Sequence, residues 1–156
     1  MLAVRLFIIT LVMLSVPHAF ASDYRQPGGG SSGSDTNTTL FTGSSIFPLT
    51  GTATVYLGST VSETRTNAEM IVGADTTVTN IRLDLSVAPG GSKEYTVSLM
   101  KGSSALASVV LSGAEVNETI STTQTYSAGD MLSLRVVPTN SPAATILTWS
   151  ANADFN

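Results

Sequence analysis

The chain has 156 residues, no cysteine, one histidine and a formal net charge of −4. Charged residues are 12% of the sequence, well below the quarter or so that is usual in globular proteins. The lack of cysteine excludes disulfides, thiolate catalysis and cysteine-based metal sites. Basic residues are few and scattered, which argues against nucleic acid as a partner.

Residues 1–21 are predicted to be a secretory signal peptide. Arg5 precedes an apolar run at residues 6–16, and Ala19-Phe20-Ala21 fits the small-residue cleavage pattern. This run is short for a membrane span, so we expect a secreted protein whose mature chain does not cross a membrane. An uncleaved membrane anchor is the competing interpretation. Because His18 lies inside the signal, the mature chain is predicted to lack imidazole catalysis and histidine metal sites.

Residues 22–39 are predicted to be a flexible linker. Glycine and serine dominate residues 28–34, and such a composition cannot bury enough apolar surface to fold alone. The linker ends in the sequon Asn37-Thr38-Thr39, where Asn37 is a candidate N-glycosylation site.

Residues 40–58 are predicted to be an apolar N-terminal arm in extended conformation. Ala53, Val55 and Leu57 alternate with polar residues, Gly51 interrupts the apolar row, and Pro48 favours a sheet edge. The arm can fold back as the first strand of its own sandwich. Alternatively, it can add to the sheet of a neighbouring copy, and repetition of that head-to-tail contact gives a fibre. The candidate subunit-contact residues are its large apolar side chains: Leu40, Phe41, Ile46, Phe47 and Leu49.

Residues 59–156 predict an all-β domain, an antiparallel β-sandwich of the jelly-roll type, preceded by the flexible N-terminal arm. Eight or nine short strands alternate apolar and polar residues, turns recur every 8 to 12 residues, and no convincing helix is present. The clearest feature is a predicted hairpin from Thr77 to Lys101. Its inward rows are Ile81, Leu83, Leu85 and Val87 on the first arm, and Tyr95, Val97 and Leu99 on the second.

Later strands follow the same alternation. Trp149 falls in the apolar row of the last strand, which favours burial in the core over a ligand platform. The second sequon, Asn117-Glu118-Thr119, is predicted to face solvent, which makes Asn117 the second candidate glycosylation site.

No motif brings chemistry-bearing residues together. The carboxylates do not form a recognisable pair for glycoside hydrolysis, and neither a P-loop nor a dinucleotide fingerprint is present. Calcium at a turn, through Asp75 or Asp130, is a weaker alternative without supporting spacing. We therefore expect no enzyme activity, no metal and no cofactor, apart from covalent glycans.

Three stretches carry a resemblance to a known type of module. They are TNIRLDL at 79–85, APGGSKEYTVSLMK at 88–101 and SAGDMLSLRVVP at 127–138. Over about residues 60–155, the chain resembles a β-sandwich module of phage and other viral structural proteins. The resemblance implies a structural or attachment role without shared catalytic residues. The signal, linker and arm depart from that pattern and are similar in layout to subunits of extracellular glycosylated fibrils.

The leading hypothesis is therefore a secreted structural subunit that polymerises with copies of itself through its N-terminal arm and carries glycans. The alternative is a carbohydrate-binding or adhesive module that acts as a monomer or small oligomer. It would use loops such as residues 87–94 or 138–144.

Overall fold

The structure is a computed structural model that describes residues 38–45 and 48–155. Within these residues, the chain forms ten β-strands and one helix of a single turn. In chain order the elements are β1 Thr38–Ser44, β2 Val55–Leu57, β3 Val61–Ser62, α1 Arg65–Ala68, β4 Met70–Ile71, β5 Thr76–Leu85, β6 Glu94–Lys101, β7 Ser104–Ser112, β8 Asn117–Tyr126, β9 Met131–Thr139 and β10 Leu147–Phe155.

The strands form two antiparallel sheets that pack face to face. One sheet has the order β1-β10-β5-β8, and the other has the order β3-β2-β9-β6-β7, with β4 also paired to β9. If the two-residue strands β3 and β4 are set aside, eight strands remain in the orders 1-8-3-6 and 2-7-4-5. This is the strand order of a jelly roll, so the predicted fold class is confirmed.

The predicted hairpin from Thr77 to Lys101 is wrong. Its two arms, β5 and β6, lie in opposite sheets, where β5 pairs with β10 and β8, and β6 pairs with β7 and β9. Tight hairpins use connections of two to five residues. The connection here is longer, and Gly90 and Gly91, with φ of 87° and 55°, help it to cross from one sheet to the other. The inward rows were predicted correctly, except for Val87, which lies beyond β5 and is 48% exposed.

A bulge at Asn80 reverses the alternation within β5. Thr76 and Val78 are buried on one side of it, and Ile81 and Leu83 on the other. Asn80 has φ of 48°, and the register of β5 against both β8 and β10 shifts at this point. Asparagine tolerates the left-handed region better than most residues, so it suits the extra position of a bulge.

The core fills the space between the two sheets. Buried apolar residues come from both sheets, and two buried tyrosines satisfy their hydroxyls locally. The Tyr95 hydroxyl donates to the Ala143 carbonyl at 2.9 Å, and the Tyr126 hydroxyl donates to the Met100 carbonyl at 3.1 Å. Trp149 is 6% exposed and belongs to this core, as predicted.

The outer face of β6 is more enclosed than its alternation suggests. Ser98 and Met100, which alternate with the predicted inward row of Tyr95, Val97 and Leu99, are 0% and 2% exposed. The Ser108 hydroxyl donates to the Ser98 hydroxyl at 2.9 Å from the neighbouring strand β7. A register shift between β6 and β7 also lies at Leu99 and Met100, and both of these residues are buried. Ser98 lies between its cross-strand neighbours Ser108 of β7 and Arg135 of β9.

Several predicted segments lie outside the described residues. These are the signal at 1–21 and the linker at 22–37; the last two linker residues, Thr38 and Thr39, begin β1. The predicted arm contributes β1 and β2, one strand to each sheet of this single chain. Among the described residues, no helix has the length and apolar character needed to cross a membrane.

Candidate functional site

Strand β1 forms one edge of the four-stranded sheet, and β10 is its only partner strand among the described residues. The register runs from Thr38 opposite Asp154 to Ser44 opposite Thr148. Beyond β1, the Ser45 amide donates to the Leu147 carbonyl at 2.8 Å, and the Ser45 hydroxyl accepts from the Leu147 amide at 3.1 Å. Within residues 38–45 and 48–155, β1 is thus paired along one side only.

Large and small residues oppose each other along the inner face of this pair. Phe41 lies opposite Ala151, and Gly43 lies opposite Trp149. A Cβ atom at Gly43 would lie 2.5 Å from Trp149 Nε1, 2.7 Å from Cε2 and 2.9 Å from Cζ2. Real Cβ atoms do not approach other atoms so closely, so the indole ring occupies the space that any other residue's side chain would need.

An apolar cleft of about 310 Å³ lies between the sheets beside β1. It is lined by Phe41, Met70, Ile71, Val72, Gly73, Thr76, Val78, Ile81, Leu99, Leu132, Leu134, Trp149 and Ala151. The Thr76 hydroxyl donates to the Ala74 carbonyl at 2.8 Å, which leaves the cleft lining almost wholly apolar. Clefts of this character bind apolar groups rather than reacting polar ones.

Two exposed apolar side chains, Phe41 and Ile71, line the cleft, and a third, Met131, lies beside Ile71. Ile71 is 70% exposed, Met131 is 37% exposed and Phe41 is 36% exposed. Ile71 and Met131 are cross-strand neighbours in β4 and β9. Exposed large apolar side chains beside an apolar cleft are typical of an interaction surface.

The predicted subunit-contact residues fall partly at this site. Phe41 lines the cleft, and Leu40 lies in β1 opposite Asn152. Leu49 is 3% exposed, belongs to the core and forms an isolated bridge with Thr145. Ile46 and Phe47 lie outside the described residues.

Of the two candidate glycosylation sites, Asn117 lies within the described residues. Asn37 lies outside the described residues. Asn117 is the first residue of β8, the other edge strand of the four-stranded sheet, and both Asn117 and Thr119 are exposed. The Asn117 side chain is therefore accessible, and its glycosylation stays a prediction.

The two loops predicted for the adhesive alternative meet at one end of the sandwich. The Asn140 side-chain amide donates to the Ser92 carbonyl at 3.1 Å, and the Ala143 amide donates to the Pro89 carbonyl at 3.0 Å. Asn140 and Ser141 have φ of 59° and 51°, which is uncommon for residues other than glycine. Sequence reasoning named both loops, but nothing in it could place them side by side.

The turn carboxylates considered for calcium have protein partners. Asp130 forms an ion pair with Lys101 at 2.6 Å and accepts from the Ser127 amide at 2.7 Å. Asp75 accepts from the Ala128 amide at 3.0 Å. Across the part of the chain that the structure describes, no three residues of the His, Cys, Asp and Glu types group as metal ligands do.

Gly43, Ile71 and Met131 belong to this site, but sequence reasoning did not single them out. A glycine inside a strand pattern often marks a close approach of another group, and that signal was available at Gly43. Ile71 gave no comparable signal because β4 has only two residues, too few for periodicity to tell an exposed apolar residue from a buried one.

Comparisons with protein-family models and with curated proteins give no match to this chain. The resemblance to phage and viral modules therefore stays a prediction, and any function must be argued from the β1 edge itself.

Proposed function

We propose that this protein is a secreted subunit of an extracellular fibre in which each subunit donates β1 to the β10 edge of the next. One observation carries the proposal: β1 is an edge strand with a single partner strand, and it closes an apolar cleft with Phe41. An identical strand from a neighbouring copy supplies the same backbone hydrogen bonds and the same side chains. The fold-back seen in one chain and the donation between chains therefore use one set of contacts.

Removal of β1 from its own sandwich leaves an interior that needs another strand. The edge of β10 would expose unpaired backbone groups, and Trp149 and Ala151 would lose their cover on that side. Unpaired sheet edges are templates for strand addition from another chain. An edge that is this apolar would favour recapture of a strand over exposure to water.

The connection between β1 and β2 limits where the neighbour can lie. The pairing of β1 continues beyond Ser44, because Ser45 bonds to Leu147 and Leu49 bonds to Thr145. A donated segment would therefore include these residues and span about residues 38–49. Five residues, 50–54, then lead to β2, and an extended chain of five residues reaches at most about 17 Å. Donor and acceptor subunits must therefore pack closely, and the exposed rim at Ile71 and Met131 offers apolar surface for that packing.

The test compares assembly of the signal-cleaved chain, residues 22–156, with two truncations under the electron microscope. Deletion of residues 22–37 keeps β1 and should preserve filaments. Deletion of residues 22–50 removes the donor segment and should abolish them. Filaments from the chain that lacks residues 22–50 would contradict the proposal.

The chain that lacks residues 22–50 could fail to form filaments simply because it misfolds, so a rearranged chain serves as the control. Thr38 lies opposite Asp154, so the start of β1 is adjacent to the end of β10. A chain in which residues 38–50 are moved from the front to a short glycine linker after Asn156 can fill its own edge as a hairpin. We expect this chain to be a folded monomer that forms no filaments, and its polymerisation would count against strand donation.

The second candidate function is a carbohydrate-binding module, favoured by the contact between the predicted loops at residues 87–94 and 138–144. Exposed polar residues there include Ser92, Lys93, Asn140 and Ser141. This function predicts saturable glycan binding by the monomeric, rearranged chain on a glycan array, with loss of binding in Asn140→Ala. Absence of binding by that chain would remove this candidate.

A further inference from the structure

The acceptor edge of β10 discriminates between positions of an incoming strand. At the position opposite Trp149, the indole ring fills the space of a side chain, and Gly43 is the residue that leaves it free. At the position opposite Ala151, the small methyl group leaves space beside the cleft, and Phe41 takes that position. The large Phe41 of β1 thus lies opposite the small Ala151 of β10, and the small Gly43 lies opposite the large Trp149.

Slipped registers of β1 do not satisfy both positions. A shift by one residue turns the inner face of the strand outward. A shift by two places either Phe41 or Ser45 opposite Trp149, and both carry a Cβ atom where the indole lies. Gly43 is the sole glycine of β1, so one register alone avoids the clash.

We propose that the contact between Gly43 and Trp149 sets the register and the identity of the strand that pairs with β10. The acceptor edge then takes a second copy's Phe41-Thr42-Gly43 segment and rejects strands with a side chain opposite the indole. This inference rests on the proposed function for its partner, but the contact itself acts on β1 from either the same chain or a neighbour.

The requirement for glycine here is steric and not conformational. The glycines with positive φ among the described residues are found at positions 90, 91, 102, 113 and 129, and Gly43 is not one of them. Alanine could adopt the backbone conformation of Gly43, and the damage from Gly43→Ala should come from the indole. Trp149 is 6% exposed and packed in the core, so its ring is not a freely mobile neighbour.

The experiment measures amide hydrogen exchange of β1 in the full signal-cleaved chain. Gly43→Ala adds one methyl group beneath the indole, and Ser44→Thr adds one methyl group at the next residue, which is exposed. Overpacking of a filled site costs enough to reduce a pairing equilibrium by about tenfold. We therefore expect protection of the β1 amides to fall about tenfold in Gly43→Ala and to stay near the parent value in Ser44→Thr.

A rescue variant separates the steric contact from general misfolding. Trp149→Phe removes the larger ring, so Gly43→Ala combined with Trp149→Phe should regain β1 protection relative to Trp149→Phe alone. Unchanged protection in Gly43→Ala, or no rescue in the double variant, would overturn the inference.

The two proposals fail separately. If the chain proves monomeric and Gly43→Ala still lowers β1 protection with rescue by Trp149→Phe, then strand donation is wrong and the register contact stands. If filaments form and Gly43→Ala keeps its protection, then the register inference is wrong and strand donation stands.

Discussion

At the scale of single residues, Lys101 links the two turns at one end of the sandwich. Its ammonium group pairs with Asp130, donates to the Thr125 carbonyl at 3.3 Å and lies 5.5 Å from the centre of the Tyr126 ring. Tyr126 is buried, and this burial, aided by the nearby Asp130 carboxylate, raises the pKa of its hydroxyl. The hydrogen bond from Lys101 and that from the Ser127 amide hold the pKa of Asp130 below its usual value.

This cluster predicts an acid-dependent part of the stability. A carboxylate whose pKa is lowered by folding stabilises the fold above its ordinary pKa of about 3.9 and loses that contribution as the pH falls through the folded pKa. Asp130→Asn should therefore be less stable than the parent near pH 7, and the difference should shrink below about pH 4. Urea unfolding at a series of pH values measures it.

The exposed Asp84 provides the control for this prediction. It pairs with Arg82 on the surface, where the side chains are 43% and 64% exposed, and such pairs contribute little to stability. At pH 7, Asp84→Asn should therefore lower the free energy of unfolding by less than Asp130→Asn does. If the difference in free energy of unfolding between Asp130→Asn and the parent stays constant down to pH 2, the ionic explanation is ruled out.

The bulge residue Asn80 is the second residue-scale test. Its φ of 48° lies in the left-handed region. This conformation costs a β-branched residue about 1–2 kcal/mol of conformational energy and costs glycine little. Asn80→Val should lower the free energy of unfolding by about that amount, while Asn80→Gly should stay close to the parent. Equal unfolding midpoints for the two variants would show that the backbone at this position carries no strain.

At the scale of elements, the sequence specified the strands better than their partners. The period-two rows identified the inward apolar residues of β5 and β6 and the buried Trp149 of β10, because a strand that buries one face alternates apolar and polar residues. They missed buried residues outside those rows, such as Ser98 and Ser133. Pairing depends on where the connections lead, and the loop at 86–93 gave no sign of which sheet it reaches. The bulge at Asn80 was not predicted. Residues 76–80 contain a single apolar residue, Val78, so the sequence shows no apolar row before the bulge whose phase could be seen to change.

The candidate site was only half predictable for the same reason. Leu40, Phe41 and Leu49 stood out as apolar residues after a polar linker, and Phe41 and Leu49 line the cleft or the core. The cleft itself joins residues from β1, β4, β9 and β10, which are far apart in sequence. No local pattern can show that such residues meet.

The element β1 should be sensitive to loss of its aromatic anchor. Phe41→Ala removes a side chain that lines the cleft and is 36% exposed, so its cost should be below the about 3–5 kcal/mol of a fully buried phenylalanine. We expect a loss of about 1–3 kcal/mol in thermal or urea unfolding. Val110→Ala, at a position 42% exposed on β7, is the matched control and should change stability by less than about 0.5 kcal/mol.

At the scale of the whole molecule, the described residues form a sandwich of two sheets in which β1 is an edge strand. A core between two sheets stabilises most of the described residues without disulfides. Among the described residues, β1 is an edge strand that pairs with β10 alone and lies next to the apolar cleft. Exchange of β1 between copies would turn a self-contained domain into a repeating unit.

Predicted glycosylation also belongs to the scale of the whole molecule. Asn117 lies on the edge strand β8, at the opposite edge of the sheet from β1, so a glycan there would leave the donor edge open. Protein isolated from its native source should exceed the mass of its polypeptide, and Asn117→Gln should remove part of that excess. A native mass equal to that of the polypeptide would exclude glycosylation at both sequons.

The most direct test of strand donation uses the absence of cysteine in the chain. Thr42 and Ser150 are opposite each other in β1 and β10, so Thr42→Cys and Ser150→Cys can form a disulfide wherever these strands pair. The two single variants are prepared separately, mixed during assembly and oxidised. The link between positions 42 and 150 is then identified by mass spectrometry.

Strand donation predicts a disulfide from position 42 of one molecule to position 150 of another. A mixture of Thr77→Cys and Thr125→Cys, which are opposite each other in β5 and β8 of one sheet, should give no such link between chains. If the mixed single variants give no 42–150 disulfide, while a chain that carries both substitutions closes it within one monomer, then β1 stays in its own sandwich and the proposed fibre mechanism is wrong.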